Sequence, residues 1–233
     1  MVPPLDASQL TLDAMPAQVP GLPIAVLLDY DGTISLRDVG DDLMARFVAD
    51  QDAVAAMDAR YVAGEVGSRA LMAWDMEMLP DDPALLRAAA ATVPQDEGLV
   101  DLVALCRARG VAAEVVSDGL GFYAESNLAR LGIEGLPVYT NRNLATGGGG
   151  RQLPFGHPLP RVRHLQARAG PRPPAAGRVV VFVGDGPSDR YAAWHADVTF
   201  AKGSLERWCR SAGVETQPWE RLADVTRWLR RPS

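Results

Sequence analysis

The stretch Ile24-Ala25-Val26-Leu27-Leu28-Asp29-Tyr30-Asp31-Gly32-Thr33 joins an unbroken apolar run to a pair of carboxylates. Five consecutive apolar residues are expected of a strand buried on both faces, as strands are in a parallel sheet. The run ends in polar and glycine residues, so both acids fall at the strand's carboxyl end. Side chains two apart on an extended segment point the same way, which turns Asp29 and Asp31 toward one site.

Two runs of the same kind follow. Val111 to Val116 leads into Ser117-Asp118-Gly119, and Val179 to Val183 leads into Gly184-Asp185-Gly186-Pro187-Ser188-Asp189. Pro137 to Asn141 and Val198 to Ala201 are shorter strand candidates. Helical spacing lies between them: Leu99, Leu102, Val103 and Cys106 precede a stop at Gly110, and Leu128 and Leu131 precede Gly132. Strands alternating with helices predict an α/β fold with a doubly wound parallel sheet. Ligands of such sheets sit beyond the carboxyl ends of the strands, where all three polar clusters fall. Segments far apart in sequence are therefore expected to meet at one site.

The organisation around this core is uneven. Residues 1–20 carry Pro3, Pro4, Pro16 and Pro20 without periodicity and read as a surface extension. Residues 21–35 and 98–233 supply the α/β core. Between them, 36–97 has helical apolar spacing (Leu43, Phe47, Val54, Met57, Tyr61, Leu71, Trp74, Met78, Leu86) and no good strand. A long insertion directly after the first strand reads as a small helical cap over the site; the alternative is extra core helices. Gly147 to Gly150 reads as a loop tip, and Pro171, Pro173 and Pro174 mark another loop.

The chain has 233 residues, enough for a sizeable core. A formal net charge of -6 argues against a nucleic-acid partner, since phosphate backbones attract basic surfaces and no basic stripe is present. No run approaches a membrane span and no secretory leader is recognisable, which leads to the expectation of a cytoplasmic protein. Cys106 and Cys209 lie far apart without metal-ligand spacing and are expected to be reduced core thiols.

The acids carry the chemistry. Of Asp29 and Asp31, one can bind a hard cation and attack phosphorus while the other protonates the leaving oxygen and then activates water. Both could equally be metal ligands without a covalent role, or merely cap the following turn. Asp185 and Asp189 add two more carboxylates at a second strand end, and such repulsion is relieved by a divalent cation. Magnesium suits an oxygen-only site because it needs few protein carboxylates and keeps places for phosphate and water. Ser117, Asp118 and Gly119 are expected to offer a hydroxyl and backbone N–H groups for phosphate at a helix N-terminus, unless Ser117 is an ordinary N-cap.

Asp29-Tyr30-Asp31-Gly32-Thr33, Ser117-Asp118-Gly119 and Gly184-Asp185-Gly186-Pro187-Ser188-Asp189 resemble, in order and spacing, three motifs of the haloacid dehalogenase superfamily. The resemblance spans nearly all the chain beyond residue 20 and suits members with a helical cap after the first strand. Ser117 to Tyr123, Pro137 to Asn141 and Phe200-Ala201-Lys202 further resemble the phosphoserine phosphatase-like branch, notably its MtnX-like methionine-salvage members.

The resemblance implies a magnesium-dependent phosphatase forming an aspartyl-phosphate. Asp29 would be nucleophile and metal ligand, and Asp31 the general acid/base that also lends a backbone carbonyl to the metal. Ser117 and the Gly119 amide would hold the phosphoryl oxygens, Asp185 would bind the metal directly, and Asp189 would support it. Thr33, Asp118 and Arg163 complete the candidate phosphate- and substrate-binding set. The family also carries a lysine or arginine before the last motif, but the only lysine here, Lys202, comes after it. Arg161, or failing it Arg163, is expected to substitute as a planar bidentate donor.

His157, His164 and His195 lack metal-ligand spacing. Arg37, Asp38, Asp41 and Asp42 are expected to cap a helix or face solvent, with substrate recognition open for Arg37 and Asp38. Glu65 and Arg69 have the spacing of an i,i+4 pair, or could face substrate. Trp208, Trp219 and Trp228 are expected to pack on the core. Three functions follow: hydrolysis of a small-molecule phosphomonoester, phosphotransfer through the same intermediate, and a silent binding protein.

Overall fold

The computed structural model describes residues 24–141, 144–145, 151–152 and 179–230. The N-terminal extension, the four-glycine run, the proline-rich loop, His157, His164, and both candidate cations Arg161 and Arg163 lie outside the described residues.

The apolar runs form the strands the sequence predicts. Ile24–Leu28 (β1), Ala112–Leu120 (β2), Val138–Asn141 (β3), Val179–Gly184 (here β6) and Val198–Ala201 (β7) make a five-stranded parallel sheet in the order β3-β2-β1-β6-β7. Leu144–Ala145 (β4) and Arg151–Gln152 (β5) pair antiparallel apart from it. β1 is buried along its whole length, because it is flanked on both sides: Val26 pairs with Ala113 and with Val181. The chain winds from β1 to β2 and β3, then returns to β6 on β1's other side. The switch point thus lies between the ends of β1 and β6, where a crevice opens.

Helices Gly98–Ala108 (α5), Gly121–Arg130 (α6), Arg190–His195 (α7), Gly203–Ala212 (α8) and Leu222–Leu229 (α9) complete this part of the fold. Cys106 and Cys209 are free and buried, as expected. Trp219 and Trp228 are buried, Trp228 edge-on to Phe200 at 5.4 Å, and Trp208 is edge-on to Trp194 at 6.2 Å. No helix among the described residues is long and apolar enough to cross a membrane.

The segment after β1 contains four helices: Val39–Phe47 (α1), Gln51–Val62 (α2), Ser68–Met78 (α3) and Pro83–Ala90 (α4). Three begin on an aspartate cap. Asp38 accepts from Asp41 N at 2.9 Å, Asp50 from Ala53 N at 3.0 Å, and Asp82 from Ala84 N and Leu85 N at 3.0 Å each. Such caps satisfy donors that the first helical turn leaves open. The two ends of the insertion are pinned together: Leu36 N donates to Pro94 O at 2.9 Å and Asp96 N to Ile34 O at 2.8 Å. Leu43, Met76 and Leu86 join the same apolar cluster as Leu99 and Leu102, whereas α2 buries no residue fully. Glu65 meets Arg60 at 3.7 Å, and Arg37 meets Asp42 at 3.1 Å.

Asp96 ties two helices to this frame. Its buried carboxylate accepts from Gly98 N at 2.9 Å and from Leu222 N at 3.0 Å, so it serves the first turns of α5 and α9 together. Asp96→Ala leaves both donors without that acceptor. It should cost about 3 kcal/mol of stability, measured by urea unfolding, whereas Asp96→Asn should cost less.

Candidate active site

Asp29 follows β1 directly and is 4% exposed. Its N–H donates to Val183 O at 2.9 Å, which extends the β1–β6 ladder to the first acid. Tyr30 turns the other way, into the core, where its hydroxyl donates to Gln95 Oε1 at 2.8 Å and accepts from Asn127 Nδ2 at 3.1 Å. Alternation at the strand end therefore separates a structural tyrosine from the acids on either side of it. Gly32 has φ 74° and closes the turn against Asp185. A Cβ there would lie 2.7 Å from Asp185 Cγ, so the turn needs both the left-handed backbone and the missing side chain.

Asp29, Asp185 and Asp189 form one group, with a carboxylate oxygen of each within 4.8 Å of the others. Asp189 Oδ2 accepts from Asp185 N and Gly186 N, both at 2.9 Å, and this fixes the loop after β6. Asp185 Oδ1 accepts from the Thr33 hydroxyl at 3.2 Å. Thr33 is fully buried, so its hydroxyl orients Asp185 across the switch point.

Asp31 stands apart from that trio. Its Oδ1 accepts from Val39 N at 2.9 Å and its Oδ2 from the Tyr123 hydroxyl at 2.7 Å. Tyr123 lies in the first turn of α6, and its motif neighbours alone gave it no role. The signal available was an aromatic hydroxyl shortly after the Ser117-Asp118-Gly119 cluster.

Ser117 and Gly119 do not open a helix. β2 continues through them to Leu120, with a register irregularity after Val116, and α6 begins only at Gly121. The expectation of a helix N-terminus, and of Ser117 as its cap, is corrected accordingly. Within this irregular stretch of strand, Gly119 N donates to Ser117 Oγ at 3.0 Å. Gly119 lacks room for a side chain: a Cβ would overlap Asp31 Oδ2 and the Tyr123 hydroxyl. Asp118 Oδ2 accepts from the Ser68 hydroxyl at 2.8 Å, which joins the start of α3 to this strand end.

Burial and mutual repulsion disfavour the charged acids. Asp29 is held well above the usual carboxylate range, first by burial, then by Asp189, Asp31 and Asp185. Burial pushes Asp31 up to about 6, against the Tyr123 and Val39 hydrogen bonds that lower it. Burial raises Asp189 to about 7, partly opposed by the Gly186 N–H. Asp185 is also raised by burial, with Thr33 and Lys202 pulling the other way. Oxygen-only donors, close-set and electrically strained, fit a hard divalent cation.

The raised values set a sign for stability. Unfolded aspartates titrate near 4, so between about pH 4 and about pH 7 the folded protein binds more protons than the unfolded chain. Without divalent metal, stability should therefore fall as pH rises through that window. A Tm at least about 5 °C higher at pH 5 than at pH 7.5 is expected in chelator, with the gap closing in excess magnesium. A chelated protein whose Tm rises with pH would contradict this.

A doubly wound parallel sheet with carboxylates gathered at its switch point defines the class: an α/β protein with an acid-centred crevice. The chain belongs to the haloacid dehalogenase-like hydrolases, whose family model matches residues 26–193. It is similar to a 2-hydroxy-3-keto-5-methylthiopentenyl-1-phosphate phosphatase of Microcystis aeruginosa, at 24% identity over 88% of this chain and 96% of that protein. Its fold is shared with a substrate-bound phosphoserine phosphatase, with TM-score 0.65 and 16% identity over 89% of this chain and 99% of the other. A phosphoserine phosphatase from T. onnurineus gives TM-score 0.64 and 17% identity, over 93% of this chain and 100% of the other.

Proposed function

We propose that this hydrolase is a magnesium-dependent phosphatase of small phosphomonoesters that works through an aspartyl-phosphate on Asp29. The carrying observation is the division of labour among the acids. Three carboxylates share one site, while the fourth, Asp31, is turned to a tyrosine and titrates near 6. A group of that acidity can both give and take a proton near neutral pH.

Asp29 Oδ attacks the phosphorus as Asp31 gives its proton to the departing alcohol oxygen. The ionised Asp31 then takes a proton from water, whose oxygen attacks the aspartyl-phosphate and releases phosphate and Asp29. Asp185, Asp189 and Asp29 would hold magnesium, with the Asp31 backbone carbonyl as a further ligand; the ion would offset their charge and polarise the phosphoryl oxygens. Ser117 Oγ and the Gly119 amide, which bond each other in this structure, would open onto the phosphoryl oxygens. Arg161 or Arg163 remains the proposed cation from the segment before β6.

Residues 36–97 would act as a cap that excludes water and reads the alcohol, with Ser68–Asp118 as one point of contact between cap and core. The relatives make phosphoserine and the methionine-salvage enol phosphate natural candidates. The test is phosphate release from an aryl phosphate with and without magnesium, followed by a panel including phosphoserine, phosphocholine, sugar phosphates and that enol phosphate. Magnesium-independent release, or none from any ester, would sink the reading. Added alcohols would reveal phosphotransfer as new phosphate esters.

A further inference from the structure

Three acids converge on this site with the charge of Asp31 close by, and among the described residues the positive charge acting on Asp185 comes from Lys202, the chain's only lysine. Several independent features hold Lys202 there. β7 pairs in register with β6 as far as Ala201 opposite Gly184, so Lys202 leaves its strand beside Asp185. Its N–H donates to Gly184 O at 3.3 Å. The next turn of chain grips Asp185 itself: Leu205 N and Ser204 Oγ donate to Asp185 O at 2.9 Å and 3.2 Å. The ammonium is then seated over the Trp219 ring, 4.0 Å from its centroid, and Trp219 is buried. An indole face under an ammonium restrains a side chain that otherwise has many rotamers.

We propose that Lys202 is a positioning residue, a fixed positive charge built beside the acid cluster that favours phosphate in the site and tempers its grip on the divalent cation. The proposal rests on reading the cluster as a metal- and phosphate-binding site. Its charge reaches Asp29 as well as Asp185; Asp96 and Arg221 also act on it, and Glu206, Glu220 and Asp224 line the same hollow as Lys202 and Trp219. Burial disfavours the charged lysine, and the two site acids offset that cost. Because the ammonium is seated on Trp219, it acts through space on the occupants of the crevice.

Charge and packing make opposite predictions. Removing a nearby cation should strengthen binding of another cation and weaken binding of an anion, whereas loosening the site should weaken both. In the full-length protein, calorimetric titration should find that Lys202→Gln binds magnesium roughly 3- to 10-fold more tightly than wild type. In magnesium-saturated protein, inorganic phosphate should bind roughly tenfold more weakly. Lys202→Arg should restore both values, since guanidinium also stacks on indole. Lys202→Met keeps apolar packing on Trp219 without charge and should repeat the Gln result, which guards against a misfolded variant. Parallel weakening of both ligands, or no change in either, would overturn the proposal. If wild type itself binds neither magnesium nor phosphate, the reading of the site fails first, and the role of Lys202 falls with it.

Discussion

Asp29→Asn should lower magnesium-dependent phosphate release by at least about 10³-fold, because an amide oxygen cannot form the acyl-phosphate bond that divides the reaction into two steps. The same change should stabilise the protein in chelator at pH 7.5. Asp29 is buried among Asp189, Asp31 and Asp185, all of which raise the cost of its charge, and the asparagine is close to it in shape. Lost activity with a raised Tm separates chemistry from unfolding. Retained turnover would remove Asp29 as nucleophile. A lowered Tm would mean that its carboxylate is better satisfied than the geometry implies.

Asp31→Asn should have the second largest effect, and its size should depend on the leaving group. An alkyl phosphate needs a proton on the departing oxygen, so its kcat should fall about 10²- to 10⁴-fold. An aryl phosphate leaves more readily, so the first step should survive better and the second, which needs a base for water, should stall. Quenched protein should then carry one phosphoryl group, visible by mass spectrometry, where wild type carries none. Equal losses on both esters with no trapped phosphoryl group would argue against Asp31 as the proton donor and acceptor. The hydrogen bond from Tyr123 bears on this outcome, since it favours the ionised Asp31 and so pulls its pKa down against the effect of burial.

Much of the fold was legible because its signals are local. Ile24–Leu28 is apolar at every position, and only a strand covered on both faces tolerates that. Val198–Ala201 emerged with the predicted ends. The strand through Ser117 did not, because it runs on to Leu120 with a register slip where a helix start was expected, and Ser117 Oγ accepts from the Gly119 amide. Such a slip depends on the partner strand β3, which local spacing does not encode. Peripheral α2 was similarly opaque: its apolar positions predict a helix correctly but not how little that helix would bury.

The candidate site divides along the same line. Sequence alone determined that Asp29, Asp31, Asp185 and Asp189 would lie at strand ends, and that strand ends of a doubly wound sheet share one edge. Those conclusions follow from periodicity and chain connectivity, which are properties of short segments. Tertiary structure decided which acids group together, since Asp29, Asp185 and Asp189 converge while Asp31 turns to Tyr123. It also decided that Thr33 serves Asp185 and that Lys202 is seated on Trp219 beside the cluster. The Thr33–Asp185 bond, for one, joins residues 152 positions apart. Such contacts depend on side-chain direction and packing across the crevice, which exist only once the strands have assembled.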